Sequence, residues 1–272
     1  MTGGGAALTG LAIVLAAATL VWMLSVRLRD ASIADVGWGL GFVLLAWVYC
    51  AVSPALTTRS WLVAVLTTLW GVRLSAHIFR RSRSKDEDPR YRAMRDSIGP
   101  SFWWRSLFTV FWLQASLLWF VAFPLLIAVR APHPASLTLI DGLGVLLFAA
   151  GFAFEVVGDR QLARFKSQPS NRGKVLERGL WRYTRHPNYF GDATLWWGFY
   201  LIAAATPGGW LTLLSPSLMT LLLTRVSGVT LLEAGLAATK PGYREYVDRT
   251  PAFVPWFPRE LRQGRRGAAS GK

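Results

Sequence analysis

Cysteine, histidine and acidic residues are scarce in this chain of 272 residues. Cys50 is its single cysteine, which excludes a disulfide framework and a cysteine-based zinc site. The three histidines, His77, His133 and His186, are far apart in the sequence, so we predict no metal centre. Charged residues make up 17% of the chain, compared with about 25% in an ordinary soluble domain.

Apolar and basic residues are abundant instead. Hydrophobic residues account for 53% of the chain, with 14 Trp and 15 Phe among them, and 30 Lys and Arg face only 15 Asp and Glu. This composition argues against a disordered chain, a coiled coil and an ordinary soluble domain. It favours a polytopic membrane protein.

Seven stretches have the length of about 20 mostly apolar residues that a membrane-spanning helix needs. We therefore predict an all-α fold with seven transmembrane helices, since no alternating ten-residue strands indicate a barrel. Residues 1–258 are predicted to form one membrane domain, followed by a flexible basic tail at 259–272. The predicted spans are residues 6–26, 33–52, 60–79, 107–129, 137–157, 189–206 and 208–228.

The basic residues predict the orientation of these spans. Lys and Arg are concentrated after the first span, between residues 80 and 106, between 158 and 190, and from Arg225 onward, whereas the opposite side has only Arg59 and Arg130. The positive-inside rule then places the N-terminus outside and the C-terminus in the cytosol, in an inner or cytoplasmic membrane. We expect the charge to contact membrane lipids, and we expect no nucleic acid and no obligatory protein partner, because no motif concentrates the arginines.

Ionisable side chains within the spans are costly and mark functional sites by default. Here they cluster at the predicted cytosolic ends, which predicts a polar cavity open to the cytosol rather than a transport path through the membrane. The alternative is that the longer ones simply snorkel to the interface. The side chains concerned are Asp35, Arg73, His77, Gln114, Glu155, Asp159, Asp192 and Arg225, with Glu233 two turns further on.

Two cytosolic segments carry chemistry. In the first, Arg160, Arg164 and Lys166 lie within two turns, a cluster that suits a phosphate group or, alternatively, lipid headgroups. The second, residues 179–192, places aromatic rings, cations, an amide and a carboxylate where a helix begins at Pro187. A helix N-terminus attracts anions, so this segment predicts a nucleotide cofactor. The glycines at 37, 39 and 41 lack the context of a nucleotide fingerprint and indicate close helix packing.

The run Thr184-Arg185-His186-Pro187-Asn188-Tyr189-Phe190-Gly191-Asp192, followed by Trp196-Trp197-Gly198, resembles the C-terminal signature of the steroid 5-alpha-reductase family, and in particular its bacterial branch of uncharacterised membrane proteins. Three further stretches, at 87–91, 215–228 and 243–258, carry the same resemblance. The resemblance implies a membrane reductase that holds NADPH in a cytosol-facing cavity and transfers hydride to the β-carbon of a hydrophobic enone.

By the same resemblance, one set of residues is expected to hold NADPH. Asp159, Lys166, Asn188, Asp192 and Arg225 match cofactor positions of the family. Other residues lie within the motif or in the basic cluster before it and are expected to line the same site. These are Arg160, Arg164, Tyr183, Arg185, His186 and Tyr189.

The chain departs from the family where substrate chemistry happens. Steroid-reducing members pair Gln-Glu on the second span with Tyr on the third, whereas here Ala34-Asp35 and Trp70 occupy those regions. Asp35 would act as an acid if apolar surroundings keep it protonated. Arg73 and His77 are the next candidates for polarising a carbonyl, although His77 is equally well explained as a structural partner of Asp35.

A second reading comes from membrane methyltransferases of the isoprenylcysteine and phospholipid type. They share a Gly-x-x-Arg-Tyr-x-Arg-His-Pro-x-Tyr motif and bind S-adenosylmethionine there. Two features favour the reductase: Asn188 follows the His-Pro pair, and the paired Glu of the methyltransferases is reduced to Glu233.

Overall fold

The computed structural model describes residues 2–83, 86–226, 229, 233, 235–236 and 239–259, and among these the secondary structure is helical, which confirms the all-α class. The predicted tail lies outside the described residues from 260 onward. The helices are α1 (Gly3–Leu28), α2 (Ile33–Ala51), α3 (Thr58–Ser82), α4 (Pro89–Ile98), α5 (Phe102–Ser106), α6 (Leu113–Val121), α7 (Phe123–Arg130), α8 (Leu139–Ser167), α9 (Pro187–Ala204), α10 (Leu214–Leu221) and α11 (Tyr243–Arg249), with π-helical segments at Leu107–Trp112 and Leu222–Val226.

Several of these helices are those of an integral membrane protein. Within the described residues five are long and apolar enough to cross a membrane, and a sixth span arises if Pro89–Val121 and Phe123–Arg130 count as one bent span. The remaining predicted span, residues 189–206, corresponds to α9, which has 18 residues but carries Asn188 and Asp192 in its first two turns. The count of seven and the orientation stay predictions.

Helix starts follow local sequence signals. Thr57 and Ser60 form a capping box ahead of α3, in which each hydroxyl accepts a hydrogen bond from the backbone N–H of the other. Asp88 caps α4 through the N–H of Arg90, and Pro89 occupies the first helical position. Proline fits there because its missing N–H has no partner within the helix.

Pro124 accounts for the bend between α6 and α7. Without an N–H it cannot bond the carbonyl of Phe120, one turn earlier in the chain. The hydroxyl of Ser215 donates to that carbonyl instead, at 3.0 Å. The two helices are bent by 43° at this point, and the carbonyl released by proline stays satisfied inside the protein.

The chain groups into two compact units. The first comprises Met1–Leu146 and Gly198–Ser217, and the second comprises Leu147–Trp197 and Leu218–Lys272. Each unit is described by itself below, for its described residues.

In the first unit, α2 and α3 pack backbone to backbone. A Cβ on Gly39 would meet the carbonyl oxygen of Gly71, and a Cβ on Gly71 would meet the carbonyl oxygen of Gly39. The hydroxyl of Ser75 lies at the same crossing, 3.1 Å from the backbone nitrogen of Leu40. Close packing is therefore confirmed for Gly39, whereas Gly37 has open space around it.

A fully buried ion pair joins α3 to α8 in the first unit. Arg59, at the start of α3, donates to both carboxylate oxygens of Asp141 on α8, at 2.7 and 2.9 Å. Its remaining N–H groups reach the carbonyl oxygens of Pro134 and Ser136. The loop between α7 and α8 is thereby tied to α3.

In the second unit, α8 and α9 cross where both carry glycine. A Cβ on Gly151 would lie 2.5 Å from the carbonyl oxygen of Gly191, and a Cβ on Gly191 would lie 2.5 Å from that of Gly151. This crossing brings the end of α8 next to the start of α9. Most of the residues predicted to bind a cofactor lie either after Gly151 on α8 or close to Gly191 in the chain.

We expect Arg59→Met to lower the free energy of unfolding by about 3–5 kcal/mol, because it leaves the Asp141 carboxylate buried without its cation. Arg80→Met, which removes an exposed cation from the same helix, should change stability by less than about 0.5 kcal/mol. Unfolding in detergent measures both. The double variant Arg59→Met/Asp141→Leu should recover most of the loss, and a single variant as stable as the wild type would contradict the structural role.

Candidate functional site

The Arg-His-Pro segment lies in the second unit, in an extended stretch between a short 3-10 turn at Gly179–Arg182 and α9. The backbone N–H of Arg185 donates to the carbonyl of Pro251 at 3.0 Å, and the hydroxyl of Thr184 donates to that of Phe253 at 2.8 Å. The segment is thus held by the residues that follow α11. The Arg-His-Pro motif and the stretch at 243–258 therefore form one structure.

Glu233 contacts the side chains of Arg185 and His186 in this segment. The Arg185 guanidinium donates to both Glu233 oxygens, at 2.7 and 3.0 Å, and the Nε2 of His186 lies 3.0 Å from the first of them. A second arm of the guanidinium donates to the carbonyls of Val247 and Thr250. Arg185 therefore organises the protein around it, and a phosphate would have to displace Glu233 to bind it directly.

The electrostatics of Glu233 follow from these contacts. Partial burial raises the pKa of its carboxyl, but hydrogen bonds from His186 and Arg185 and their charges outweigh burial and bring the pKa to about 2. Two tyrosines nearby have the opposite shift. Burial raises the pKa of Tyr243 to about 12, and burial also raises that of Tyr246, whose hydroxyl donates to the carbonyl of Trp181.

Two predicted cofactor residues meet at the end of α8. The side-chain amide of Asn188 donates to the carboxylate of Asp159 at 3.1 Å, although the residues are 29 positions apart. The indole N–H of Trp181 donates to the carbonyl of the adjacent Gly158 at 3.1 Å. Asp159 and Asp192 are both buried. The start of α9 thus presents an amide and two carboxylates in one unit.

Four further predicted cofactor residues are basic and exposed. Arg160, Arg164 and Lys166 are exposed on the last turns of α8, and Arg225 is exposed in the π-helical segment Leu222–Val226. Exposed cations are accessible to an anionic ligand, in contrast to Arg185.

Aromatic rings border the same motif. The ring of Tyr189 stacks on that of His186, with centroids 5.7 Å apart and an angle of 4° between the planes. Tyr183 is exposed over 38% of its surface and contacts the ring of Phe257 edge to face. Of the two, Tyr183 has the accessible surface for stacking on a flat ligand.

Asp35 lies in the first unit within a network of hydrogen bonds. Its carboxylate accepts from the hydroxyl of Tyr91 at 2.6 Å and from the guanidinium of Arg90 at 2.7 Å. The side-chain amide of Gln114 donates to the Tyr91 hydroxyl at 2.9 Å. Asp35 therefore faces a phenol and a guanidinium instead of the apolar surroundings expected for a protonated acid. Arg73 and His77 are half-buried on α3, and their predicted role remains a prediction.

A cavity of about 180 Å³ lies beside this network in the first unit. It is bounded by α1, α2, the π-helical segment Leu107–Trp112 and α6. Its lining is almost wholly apolar, and Gln114 contributes an amide to it. Apolar pockets with a few convergent polar groups are the usual form of a small-molecule site.

The roles of two residues were not predicted from the sequence. Tyr91 was placed only within the stretch at 87–91 that carries the resemblance, and Glu233 was predicted only as a polar group beyond Arg225 and as the remainder of the methyltransferase pair. A signal for Tyr91 was available, since the stretch at 87–91 carried the family resemblance. Nothing local to Glu233 indicates its contact with a motif 47 residues earlier.

The fold and this site define a polytopic helical membrane protein in which the side-chain carboxylate of Glu233 binds the Arg-His-Pro motif. Residues 21–250 match the family described as "Protein of unknown function (DUF1295)", and the chain belongs to that family, which includes steroid 5-alpha-reductase-like proteins.

The chain is also similar to an uncharacterised protein, C594.04c, of Schizosaccharomyces pombe. The two are 26% identical over 269 residues, which cover 87% of this chain and 76% of the yeast protein. No solved structure matches the chain.

The Glu233 cluster predicts a pH-dependent stability. Because the folded-state pKa lies below the usual value of 4.5, the contribution of Glu233 is fully present above about pH 5 and declines as the pH falls toward 2. Glu233→Gln should therefore cost about 2–3 kcal/mol at pH 7, with a smaller difference from the wild type at pH 3.

Melting curves at pH 7, 5, 4 and 3 measure this difference. Glu177→Gln is the matched control, because the Glu177–Arg249 pair in the same unit is more than a third exposed on both sides and should contribute little. A gap between wild type and Glu233→Gln that stays constant with pH would contradict the assignment.

Proposed function

We propose that the protein is an NADPH-dependent membrane reductase that acts on the C=C bond of a hydrophobic enone. The hydrogen bond between Asn188 and Asp159 carries the proposal, because it joins two residues that the family resemblance separately assigned to the cofactor. It lies at the start of α9, and a helix N-terminus favours an anionic ligand.

The chemistry of the residues fits a dinucleotide. Arg160, Arg164, Lys166 and Arg225 are exposed cations suited to phosphate groups, and the local excess of Arg suits a 2′-phosphate. Carboxylates such as Asp159 and Asp192 accept hydrogen bonds from ribose hydroxyls or a carboxamide. Tyr183 offers an exposed ring for stacking. Arg185 and His186 act indirectly, by holding the motif on Glu233.

NADPH would supply a hydride to the β-carbon of the enone, and the α-carbon then takes a proton. In the first unit, we assign the delivery of that proton to Tyr91 and Asp35. The Tyr91 hydroxyl carries a proton and donates a hydrogen bond to the Asp35 carboxylate. Arg73 and His77 are retained as candidates for polarising the carbonyl oxygen, where negative charge develops. The site is proposed to face the cytosol.

A titration of the detergent-purified protein separates this proposal from methyl transfer. NADPH at 100 times its Kd should stabilise the folded protein by about 2.7 kcal/mol in a thermal-shift assay, and S-adenosylmethionine should not. NADH should bind more weakly than NADPH. Stabilisation by S-adenosylmethionine alone would replace the reductase by a membrane methyltransferase.

The same assay tests Asn188. Asn188→Ala should weaken NADPH binding about tenfold while changing the melting of the ligand-free protein less, because it removes a ligand contact together with one hydrogen bond. Asn171→Ala, in the loop after α8, is the control and should leave NADPH affinity unchanged. An equal loss of ligand-free stability and no change in affinity would assign Asn188 to packing.

Asp35→Asn tests the substrate chemistry. It should slow enone-dependent NADPH oxidation about a hundredfold and leave NADPH affinity intact, because proton transfer typically contributes that much to rate. Asp88→Asn is the matched control: the Asp88 carboxylate also bonds Arg90, but within the described residues it has no hydrogen bond to the Tyr91 hydroxyl. An unchanged rate for Asp35→Asn would remove Asp35 from the chemistry.

A further inference from the structure

The cavity of the first unit is long and narrow. Its lining runs from Val14 to Val21 along α1 and from Ala34 to Leu44 along α2, which at 1.5 Å per residue corresponds to a length of about 10–15 Å. A volume of about 180 Å³ spread over that length leaves room for a single file of methylene groups.

The volume leads to the same result. A volume of about 180 Å³ over a length of about 10–15 Å corresponds to a mean cross-section of about 12–18 Å², which accommodates one extended hydrocarbon chain. Four fused rings would exceed it. Small residues, among them Ala17, Ala18 and Gly37, form much of its wall.

One end of the cavity is polar. Gln114 lines it and bonds to Tyr91, which in turn bonds to Asp35, the neighbour of the lining residue Ala34. At the other end, Leu44 and Leu118 supply only hydrocarbon.

The hydrogen-bond network also determines which atoms Gln114 offers to a ligand. The single proton of the Tyr91 hydroxyl is donated to Asp35, so the atom of Gln114 that faces Tyr91 must be its NH₂ group. That leaves one amide N–H and the amide oxygen, neither of which has a hydrogen bond to the described residues. The N–H can donate to a carbonyl group of a ligand, and the N–H and the amide oxygen together match a hydroxyl group.

We propose that this cavity binds a single-chain lipid, with its carbonyl or hydroxyl group at Gln114 and its hydrocarbon tail extended toward Leu44. The inference that this lipid is the substrate of the reductase rests on the proposed function. The inference that the cavity binds the lipid does not. Linear enones are then preferred over steroids.

Gly37 allows a direct test. It lines the cavity, and a Cβ built on it has no heavy atom within 4 Å, so a larger side chain enters the cavity without meeting backbone. Gly142 on α8 is the matched control, because it is exposed, helical and equally open. Gly37→Leu fills the cavity and Gly142→Leu does not.

The measurement is equilibrium binding of radiolabelled (E)-3-decen-2-one, a linear enone, and of testosterone, a fused-ring enone, to purified protein without any nucleotide. The wild type and Gly142→Leu should bind the linear enone alike, and Gly37→Leu should bind it at least tenfold more weakly. Testosterone should bind the wild type at least tenfold more weakly than the linear enone. Gln114→Leu should lose about tenfold in affinity for the linear enone, because the carbonyl loses its donor.

Unchanged affinity in Gly37→Leu, or testosterone bound as tightly as the linear enone, would overturn the proposal. Unchanged affinity in Gln114→Leu would overturn the placement of the carbonyl. If Gly37→Leu does not fold, Ala17→Leu fills the same cavity from α1 and gives the same readout. The binding assay contains no cofactor, so loss of enone binding tests the cavity alone. Failure of the reductase proposal would instead appear as enone binding without NADPH oxidation.

Discussion

A buried guanidinium in an apolar protein has to find its hydrogen-bond partners within the protein, because neither lipid nor a dry core supplies them. Two arginines of this chain impose that requirement, one in each unit. Arg59 satisfies it with Asp141 and two loop carbonyls, and Arg185 satisfies it with Glu233 and the carbonyls of Val247 and Thr250. In each case one side chain determines where a distant part of the chain lies.

The Arg185 cluster changes the interpretation of the Arg-His-Pro motif. Arg185 and His186 belong to the architecture of the second unit, because Glu233 holds both side chains and the carbonyls of Val247 and Thr250 accept from Arg185. In the proposed reductase, Asn188, the carboxylates beside it and the exposed cations of α8 would contact the cofactor, whereas Arg185 and His186 hold the start of α9.

The first unit has a different character. Its polar network of Asp35, Tyr91 and Gln114 lies next to an apolar cavity, and the π-helical segment Leu107–Trp112 contributes to the cavity wall. Such segments are rare and often occur at functional sites, since they turn side chains away from the regular helical register. A network that uses the Tyr91 proton internally leaves Gln114 as the group with hydrogen-bonding capacity to offer.

Features that depend on short stretches were predictable from the sequence. The apolar runs predicted the long helices, because a span requires a fixed length of hydrocarbon. Pro187 predicted the start of α9, and the resemblance at 184–192 agrees in part with the DUF1295 match, since that family includes steroid 5-alpha-reductase-like proteins. Local composition was sufficient in each case because the physical requirement itself is local.

Contacts between distant residues were not predictable. No sequence rule pairs Glu233 with Arg185, Asn188 with Asp159, or Tyr91 with Asp35, since each pair meets only after helices from separate parts of the chain have packed. Asp35 is an example. Its place in the first turn of α2 was predictable from the sequence, but the guanidinium of Arg90 and the phenol of Tyr91 that face it come from α4. The sequence by itself determined the all-α membrane class, the long apolar helices and the position of the motif at the start of α9. The tertiary structure decided which polar groups hold one another and which remain to meet a ligand, because hydrogen-bond partners in an apolar protein are selected by packing.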